Sequence, residues 1–324
     1  MSTKNNFYII LLIIALIAGL IFYYIYSYYN FNSKSKLSYQ LNNYPINSES
    51  SLIYINKEKV LFTPKHSLVI VSITTSPRRI KLMKNTLDSI LSQTHPPDII
   101  RINIPITFKR TGHTYDIPDF IKNNSKIKVY QYNEDFGPIM KILPTIMDCN
   151  ENNNNHVIYI DDDVLMLQNT IETFLDYINQ NPNYVYCISG FNFTGQNKWI
   201  RTYEPGFVNI PEGYMSVCLS SSVINKINKN YSILNYYNFF SKDEYCFTSD
   251  DLMIGNFFAM NNIFIFKISN HKISFELWWQ SGCELKYGKD GDGIMHLEQD
   301  QHFTRYNKAF KYINDNQMNF ILKT

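Results

Sequence analysis

Apolar β-branched runs alternating with segments of helical spacing most constrain the fold of this 324-residue chain. The run at 68–73 (LVIVSI) is typical of a buried parallel strand, and apolar residues at helical spacing follow it over 79–93. Further strands are predicted at 99–104, 126–132, 157–160 and 184–188, and further helices at 139–147 and 170–178. Pro144 should kink or interrupt the helix at 139–147. This alternation predicts an α/β fold, with a mostly parallel, Rossmann-like sheet and helices on both faces.

The segment 7–26 (FYIILLIIALIAGLIFYYIY) contains no charged residue. A helix of about twenty residues spans roughly 30 Å, the thickness of a bilayer hydrocarbon core. The run is longer than the apolar region of a cleaved signal peptide, and bulky tyrosines occupy the place of a cleavage site. We therefore predict one N-terminal transmembrane anchor at 7–26, after a short tail at 1–6. A polar stem at 27–66 should follow, and then a globular body at 67–324.

Composition excludes several classes of protein. The net charge of +2 gives no electrostatic footprint for nucleic acid, so no nucleic-acid partner is expected. A hydrophobic fraction of 45% is too high for a disordered chain. Five cysteines in 324 residues are too few for a disulfide scaffold, and their lack of C-x-x-C spacing argues against structural zinc.

Three consecutive carboxylates, Asp161, Asp162 and Asp163 (the Asp triplet), follow the predicted strand at 157–160. Ligands of parallel sheets bind beyond the carboxyl ends of the strands, so a bound ligand would lie next to the Asp triplet. Adjacent carboxylates raise each other's pKa, and a bound cation relieves their repulsion. Their oxygen ligands suit Mg²⁺ or Mn²⁺. A solvated acidic turn that caps a helix is the alternative.

A second acidic site, Asp250 and Asp251 (the helix-start pair), precedes an apolar stretch of helical spacing. An ordinary N-cap is the alternative for either aspartate. His296 follows a glycine-rich loop at 288–293 and is a candidate metal ligand, although a lone histidine is more often structural. The basic side chains that could meet a diphosphate are Arg78, Arg79 and Lys141. Candidate acceptor contacts are 211–214 (PEGY), Trp278 and Trp279.

The order hydrophobic strand, Asp-x-Asp, hydrophobic residue resembles the signature of GT-A-fold glycosyltransferases. The segment 69–79 (VIVSITTSPRR) is similar to their first strand and its nucleotide-contacting turn. The segment 86–93 (TLDSILSQ) and the strand at 99–105 resemble the early helix and second strand of family-two-like members. The segment 135–143 (DFGPIMKIL) stands where related enzymes place a donor-site loop. Tail, anchor, stem and body in that order are also common among them.

The resemblance implies roles for individual residues. Asp161 and Asp163, with His296, would bind Mn²⁺ or Mg²⁺. The nucleotide-diphosphate-sugar would contact Thr75, Arg79, Asp135, Lys141, Asp161 and Asp162. Asp251 would be the general base and Asp250 would orient it, with the opposite assignment left open. The pair replaces the more usual Glu-Asp of inverting members, so stereochemistry stays open as well.

We therefore expect a metal-assisted glycosyltransferase that uses an aspartate base, with inversion, to move a sugar onto a hydroxyl acceptor. The acceptor would be a glycan, a glycoprotein or a glycolipid. The protein would be a single-pass type II membrane protein of a Golgi- or ER-like membrane, or of a host or viral membrane if its source is a virus. One alternative is a magnesium-dependent haloacid-dehalogenase-like phosphatase, which also has D-x-D after a strand. A non-catalytic glycan-binding membrane protein is another.

Overall fold

The computed structural model describes residues 67–149, 154–193, 199–201, 204–230, 233–268 and 302–316. The strands are β1 (Val69–Ile73), β2 (Ile99–Pro105), β3 (Ile127–Tyr132), β4 (His156–Tyr159), β5 (Val185–Cys187), β6 (Gly190–Phe193), β7 (Trp199–Arg201), β8 (Gly206–Val208), β9 (Ile210–Pro211), β10 (Val217–Leu219) and β11 (Ile265–Lys267). The α-helices are α1 (Lys84–Leu91), α2 (Asp119–Lys122), α3 (Leu143–Asp148), α4 (Thr170–Gln180), α5 (Ser221–Asn230), α6 (Ile233–Phe240), α7 (Glu244–Phe247), α8 (Asp250–Met260) and α9 (His302–Asp315). Short 3₁₀ helices lie at Arg79–Leu82, Gly137–Lys141 and Gly213–Met215.

Several predictions fall outside the described residues. These are the anchor at 7–26, the stem at 27–66, the glycine-rich loop at 288–293, Trp278, Trp279 and His296. Within the ranges that are described, no helix combines the length and the apolar character needed to cross a bilayer.

Eight strands form one sheet in the order β3-β2-β1-β4-β10-β5-β11-β8. β1 pairs in parallel with β2 and with β4, and β2 pairs in parallel with β3. β5 and β11 are also parallel, so the predicted mostly parallel sheet is confirmed. β10 runs antiparallel between β4 and β5, which the sequence analysis did not predict. The chain order passes from β1 outward to β3 and then returns to β4 on the other side of β1. The carboxyl ends of β1 and β4 therefore border a topological switch point, where ligands of such sheets bind.

The antiparallel direction of β10 follows from the path of the chain between β5 and β10. The amide of Glu212 donates to the carbonyl of Ser189 at 3.0 Å, so the chain returns to the end of the sheet at which β5 finishes. A strand that starts at the carboxyl end of β5 and pairs with it must run antiparallel to it. The intervening excursion holds a three-stranded antiparallel sheet in the order β7-β6-β9.

Helices cover both faces of β1, as predicted. Val71 and Ile73 belong to one buried cluster with Leu87 of α1 and Phe174 of α4. Side chains alternate between the faces of a strand, so Ser72 points the other way, and its Oγ lies 2.6 Å from Thr145 Oγ1 of α3. Burial on both faces explains why these strands read as continuous apolar runs.

Two predicted helices are interrupted. The helix predicted at 79–93 is a 3₁₀ turn, Arg79–Leu82, followed by α1 after a break at Met83. The helix predicted at 139–147 breaks at Ile142, and Pro144 lies within the first two positions of α3. Proline is tolerated there because the first amides of a helix have no acceptor within it. The interruption expected from Pro144 is confirmed.

Candidate functional site

The turn after β1 and the Asp triplet after β4 meet at the switch point. Thr75 Oγ1 donates to Asp162 Oδ2 at 2.5 Å. Arg79 Nη2 lies 2.7 Å from Asp162 Oδ1 and 2.5 Å from Asp163 Oδ2. The structure therefore brings together four of the residues singled out from the sequence. Arg78, the other arginine of this turn, is exposed.

The Asp triplet carries more negative charge than Arg79 neutralises. Burial raises the pKa of Asp162, although Arg79 and Thr75 oppose the shift. Burial also raises the pKa of Asp163 to about 7, and the charges of its two acidic neighbours add to this shift. A buried carboxylate resists ionisation unless a cation accompanies it, so this end of the sheet favours an additional positive group.

One face of α1, together with Gln93 just past the end of that helix, holds the loop that carries the Asp triplet; no role was predicted for these residues. Thr86 Oγ1 donates to the backbone carbonyl of Asp162 at 3.0 Å. Ser89 Oγ accepts from the Met166 amide at 3.0 Å, and Gln93 Nε2 donates to the Leu167 carbonyl at 2.7 Å. These three side chains (the α1 polar face) recur at helical spacing among buried apolar residues, which is the sequence signal that could have identified them.

Lys141 joins the Asp triplet to the helix-start pair. Its Nζ lies 2.7 Å from Asp161 Oδ1 and 2.7 Å from Asp250 Oδ2, and the residue is only 3% exposed. Burial alone would lower the pKa of Lys141, but the charges of Asp161 and the helix-start pair outweigh it and raise the pKa well above its usual value. The ammonium expected to meet a diphosphate is therefore held between two carboxylates.

The helix-start pair contacts residues outside its own helix. α8 begins at Asp250, and Ser249 at the N-cap makes no side-chain capping bond. Asp251 Oδ1 accepts from the amide of Gly213 at 2.9 Å. No other residue in the described part of the chain donates a hydrogen bond to the Asp251 carboxylate. The N-cap alternative therefore does not account for the contacts of either aspartate.

Burial raises the pKa of Asp251 well above the usual aspartate value, and the adjacent charge of Asp250 adds to the shift. Lys141 and the Gly213 amide oppose it. Asp251 is therefore a stronger proton acceptor than an exposed aspartate once it is ionised.

The turn at Glu212 and Gly213 closes the site on the side of β10. Ser189 Oγ donates to Glu212 Oε2 at 2.6 Å, and Glu212 is 4% exposed. A Cβ on Gly213 would lie 2.7 Å from Lys141 Nζ and 2.9 Å from Tyr159 Cε2. Only glycine permits so close an approach of backbone to the lysine. The segment expected to contact an acceptor thus packs against the centre of the site.

Asp135 acts on the local backbone. Its carboxylate accepts from the amides of Lys109 and Gly137, each at 2.8 Å. These bonds fix the turn that begins the 3₁₀ helix Gly137–Lys141. Asp135 was expected to contact the donor, and in the structure it shapes the segment that delivers Lys141.

Two tyrosines near the helix-start pair were missed in the sequence. Tyr159, the last residue of β4, is fully buried, and burial together with the charge of Asp251 raises its pKa. Tyr306 of α9 stacks on Phe191 with ring centroids 6.0 Å apart. Burial and the charges of both helix-start aspartates raise the pKa of Tyr306. A C-terminal helix thus contributes to the site, which no local pattern indicates.

Asp161 and Asp163 are the predicted metal ligands that the structure describes. Among the described residues, no group of three or more His, Cys, Asp or Glu residues is arranged to hold a metal ion. Asp161 faces Lys141, whereas Asp163 faces Arg79. The donor chemistry of the Asp triplet suits a hard cation, but such an ion would have to share or replace these two partners.

No protein-family model matches the chain, and no curated protein matches its sequence. A crystal structure of S. aureus TarS 1–349 in complex with UDP is similar over 64% of this chain and 62% of that one, at 13% identity and a TM-score of 0.38. S. aureus TarS is similar over 79% of this chain and 44% of that one, at 12% identity and a TM-score of 0.39. This chain thus spans less than two thirds of each of these proteins. At these scores the likeness assigns neither the fold nor the function of this chain.

Proposed function

We propose that this chain is a glycosyltransferase that moves a sugar from a nucleotide-diphosphate-sugar to a hydroxyl group of a glycan, protein or lipid. The observation that carries the proposal is the position of Lys141, with Asp161 and Asp250 each 2.7 Å from its Nζ. Two acidic groups far apart in the chain thereby form one site at the switch point. Glycosyl transfer needs such a site, because a charged leaving group departs while an acceptor hydroxyl loses its proton.

The donor side of the proposed site is the turn after β1 with the Asp triplet. The Arg79 guanidinium suits phosphate oxygens, and Thr75 fixes Asp162 beside it. A divalent cation held by Asp161 and Asp163, with His296, would neutralise charge on the departing diphosphate. The residues described here act by orienting the donor and by excluding water from buried carboxylates.

The acceptor side is the helix-start pair, and we assign the base to Asp251. Asp250 is already engaged by Lys141, whose Nζ lies 2.7 Å from Asp250 Oδ2. Asp251 holds one oxygen against Gly213 and keeps the other available to an acceptor hydroxyl. Direct attack by a hydroxyl that Asp251 deprotonates inverts the anomeric centre.

A phosphatase of the haloacid-dehalogenase type is less well supported. In that class the D-x-D motif normally follows the first strand, whereas here the Asp triplet follows β4 and threonines follow β1. Membrane anchoring by 7–26 is also part of our proposal, and its support is the charge-free run in the sequence.

The test uses the full chain and a panel of nucleotide-sugars, with Mn²⁺, Mg²⁺ or a chelator. We expect transfer or slow hydrolysis of one donor, with the anomeric configuration of the product read by NMR. Asp251→Asn should lower the transfer rate by about 10²–10⁴-fold, the usual contribution of a general base. Asp161→Ala should abolish metal-dependent turnover. Asp119→Asn, whose side chain is 88% exposed, is the matched control.

Three outcomes would contradict the proposal. Phosphate release from an aryl phosphate without use of any nucleotide-sugar would favour the phosphatase. Absence of both nucleotide and Mn²⁺ binding in calorimetry would favour a non-catalytic protein. Unchanged transfer by Asp161→Ala and Asp251→Asn in chelator would remove the metal and the base from the mechanism.

A further inference from the structure

Lys141 is a buried cation in a closely fitted space. Its side chain is 4% exposed, while Asp161 and Asp250, which flank it, are 37% and 13% exposed. The ammonium lies 5.9 Å from the centre of the Tyr159 ring. Gly213 leaves no room for a methyl group beside it. A lysine held on all sides in this way has little freedom to leave its partners for a phosphate.

We infer that Lys141 is a positioning residue that holds Asp161 and Asp250 in one arrangement and favours the ionised form of the neighbouring Asp251. The inference rests on the proposed function and assigns to Lys141 a role other than donor binding. Removing its charge should therefore impair the proton-transfer step while leaving donor affinity intact.

The charges around Asp251 determine the sign of this effect. Among the described residues, the titratable groups that interact electrostatically with Asp251 are Lys141, Asp161 after β4, Asp250 on α8, Tyr159 on β4, Cys187 on β5 and Tyr306 on α9. Glu212, before Gly213, and Lys267 on β11 act on Cys187. Burial raises the pKa of the tyrosines and the thiol, so these groups are neutral at working pH. Lys141 is therefore the one cation among the described groups that interact with Asp251, beside two carboxylates. Without it, Asp251 binds its proton more tightly.

The first variant is Lys141→Met, which keeps side-chain length and removes the charge. The acid limb of the pH profile of kcat/KM reports the pKa of the free enzyme's base. We expect this limb to move to higher pH, with a loss at pH 7 of roughly 10²-fold, within the range for a lost general base. Donor affinity measured by calorimetry should stay within about threefold, since uniform binding is unaffected. Lys84→Met, on an exposed side chain of α1, is the control.

The second variant, Asp250→Asn, should move the acid limb the other way. It removes a negative charge beside Asp251 and leaves Lys141 in place, so the base ionises at lower pH. The opposite shifts of the two variants distinguish charge control from a general loss of structure. If Lys141→Met does not fold, as judged by circular dichroism, Lys141→Gln replaces it, and an acid limb that does not move to higher pH in that variant overturns the inference.

A readout without turnover separates this inference from the proposed function. The ¹³C carboxyl resonance of Asp251, identified by its loss in Asp251→Asn, should titrate at higher pH in Lys141→Met and at lower pH in Asp250→Asn. These shifts without any sugar transfer would sustain the role of Lys141 and refute the transferase. Unshifted titrations, or donor affinity reduced tenfold or more in Lys141→Met, would overturn the inference.

Discussion

At the residue scale, two glycines with the same backbone conformation differ in their surroundings. Gly112 has φ +72° and a Cβ there would meet nothing within 4 Å. Gly137 has φ +70°, and a Cβ there would lie 2.8 Å from Phe247 Cζ of α7. Gly137 begins the 3₁₀ helix that carries Lys141. The pair separates the cost of a left-handed backbone from the cost of a steric contact.

Alanine substitutions at these glycines should therefore differ in effect. Gly112→Ala should lower the free energy of unfolding by about 1–2 kcal/mol, the cost of a left-handed non-glycine residue. Gly137→Ala should lower it by roughly a further 1–3 kcal/mol, because the methyl group overpacks against Phe247. Urea unfolding followed by tryptophan fluorescence measures both. Equal costs at the two positions would show that Phe247 moves aside freely.

At the element scale, α1 and the turn after it support the loop that carries the Asp triplet, on the proposed donor side. Its apolar residues pack into the core, and the α1 polar face bonds the loop that follows β4. Gln93 makes more hydrogen bonds than Thr86 or Ser89. Its Nε2 donates to the carbonyls of Leu167 and Ser89, and its Oε1 accepts from the Ile171 amide. The same glutamine thus fixes both the loop and the start of α4.

Gln93→Leu should weaken this support. Each buried group left unsatisfied costs roughly 1–3 kcal/mol, so we expect a loss of stability of about 2–4 kcal/mol. Because the loop carries the Asp triplet, donor affinity should fall as well. Thermal unfolding and calorimetry with the donor measure the two effects. Ser92→Ala, at an exposed hydrogen bond of the same segment, is the control and should change neither. An unchanged melting temperature in Gln93→Leu would contradict the assigned role.

At the scale of the whole molecule, the four cysteines in the described part of the chain are all free and buried. Cys187 and Cys218 lie on adjacent strands at the centre of the sheet and have no exposed surface. Burial raises the pKa of each thiol, to about 11 for Cys149. Thiolate formation and solvent access therefore both require opening of the fold.

We expect iodoacetamide at pH 8 to modify these four cysteines only through opening. Cys149 should react first, because its 5% exposure is the largest among them. Cys187 and Cys218 should react together, at the rate of global unfolding, since both need the sheet to separate. Mass spectrometry of the peptides over time measures this, with denaturant as the reference. Native-state labelling of Cys187 as fast as in denaturant would show that the sheet opens locally.

The sequence predicts those parts of the molecule whose signal is local. β1 and β4 were found within one residue of each end because buried parallel strands read as apolar runs. β9 has only two residues, and β10 and β11 have three each; pairing with distant strands defines them, which no short window shows. The Asp triplet and the helix-start pair were recognised from spacing. Their junction at Lys141 depends on distances between residues far apart in the chain, so only the fold reveals it.

The two hydrogen bonds between Ser189 and Glu212 affect how freely the segment between these residues can change in sequence. They fix both ends of the excursion after β5 at one point on the sheet, through a side-chain bond and a backbone bond. Apart from β8, which pairs with β11 in the main sheet, what lies between those ends can change in length and composition without altering the register of β5 or β10. If the proposed function holds, grafting a different excursion between these two anchored ends offers a modular route to new acceptor specificity.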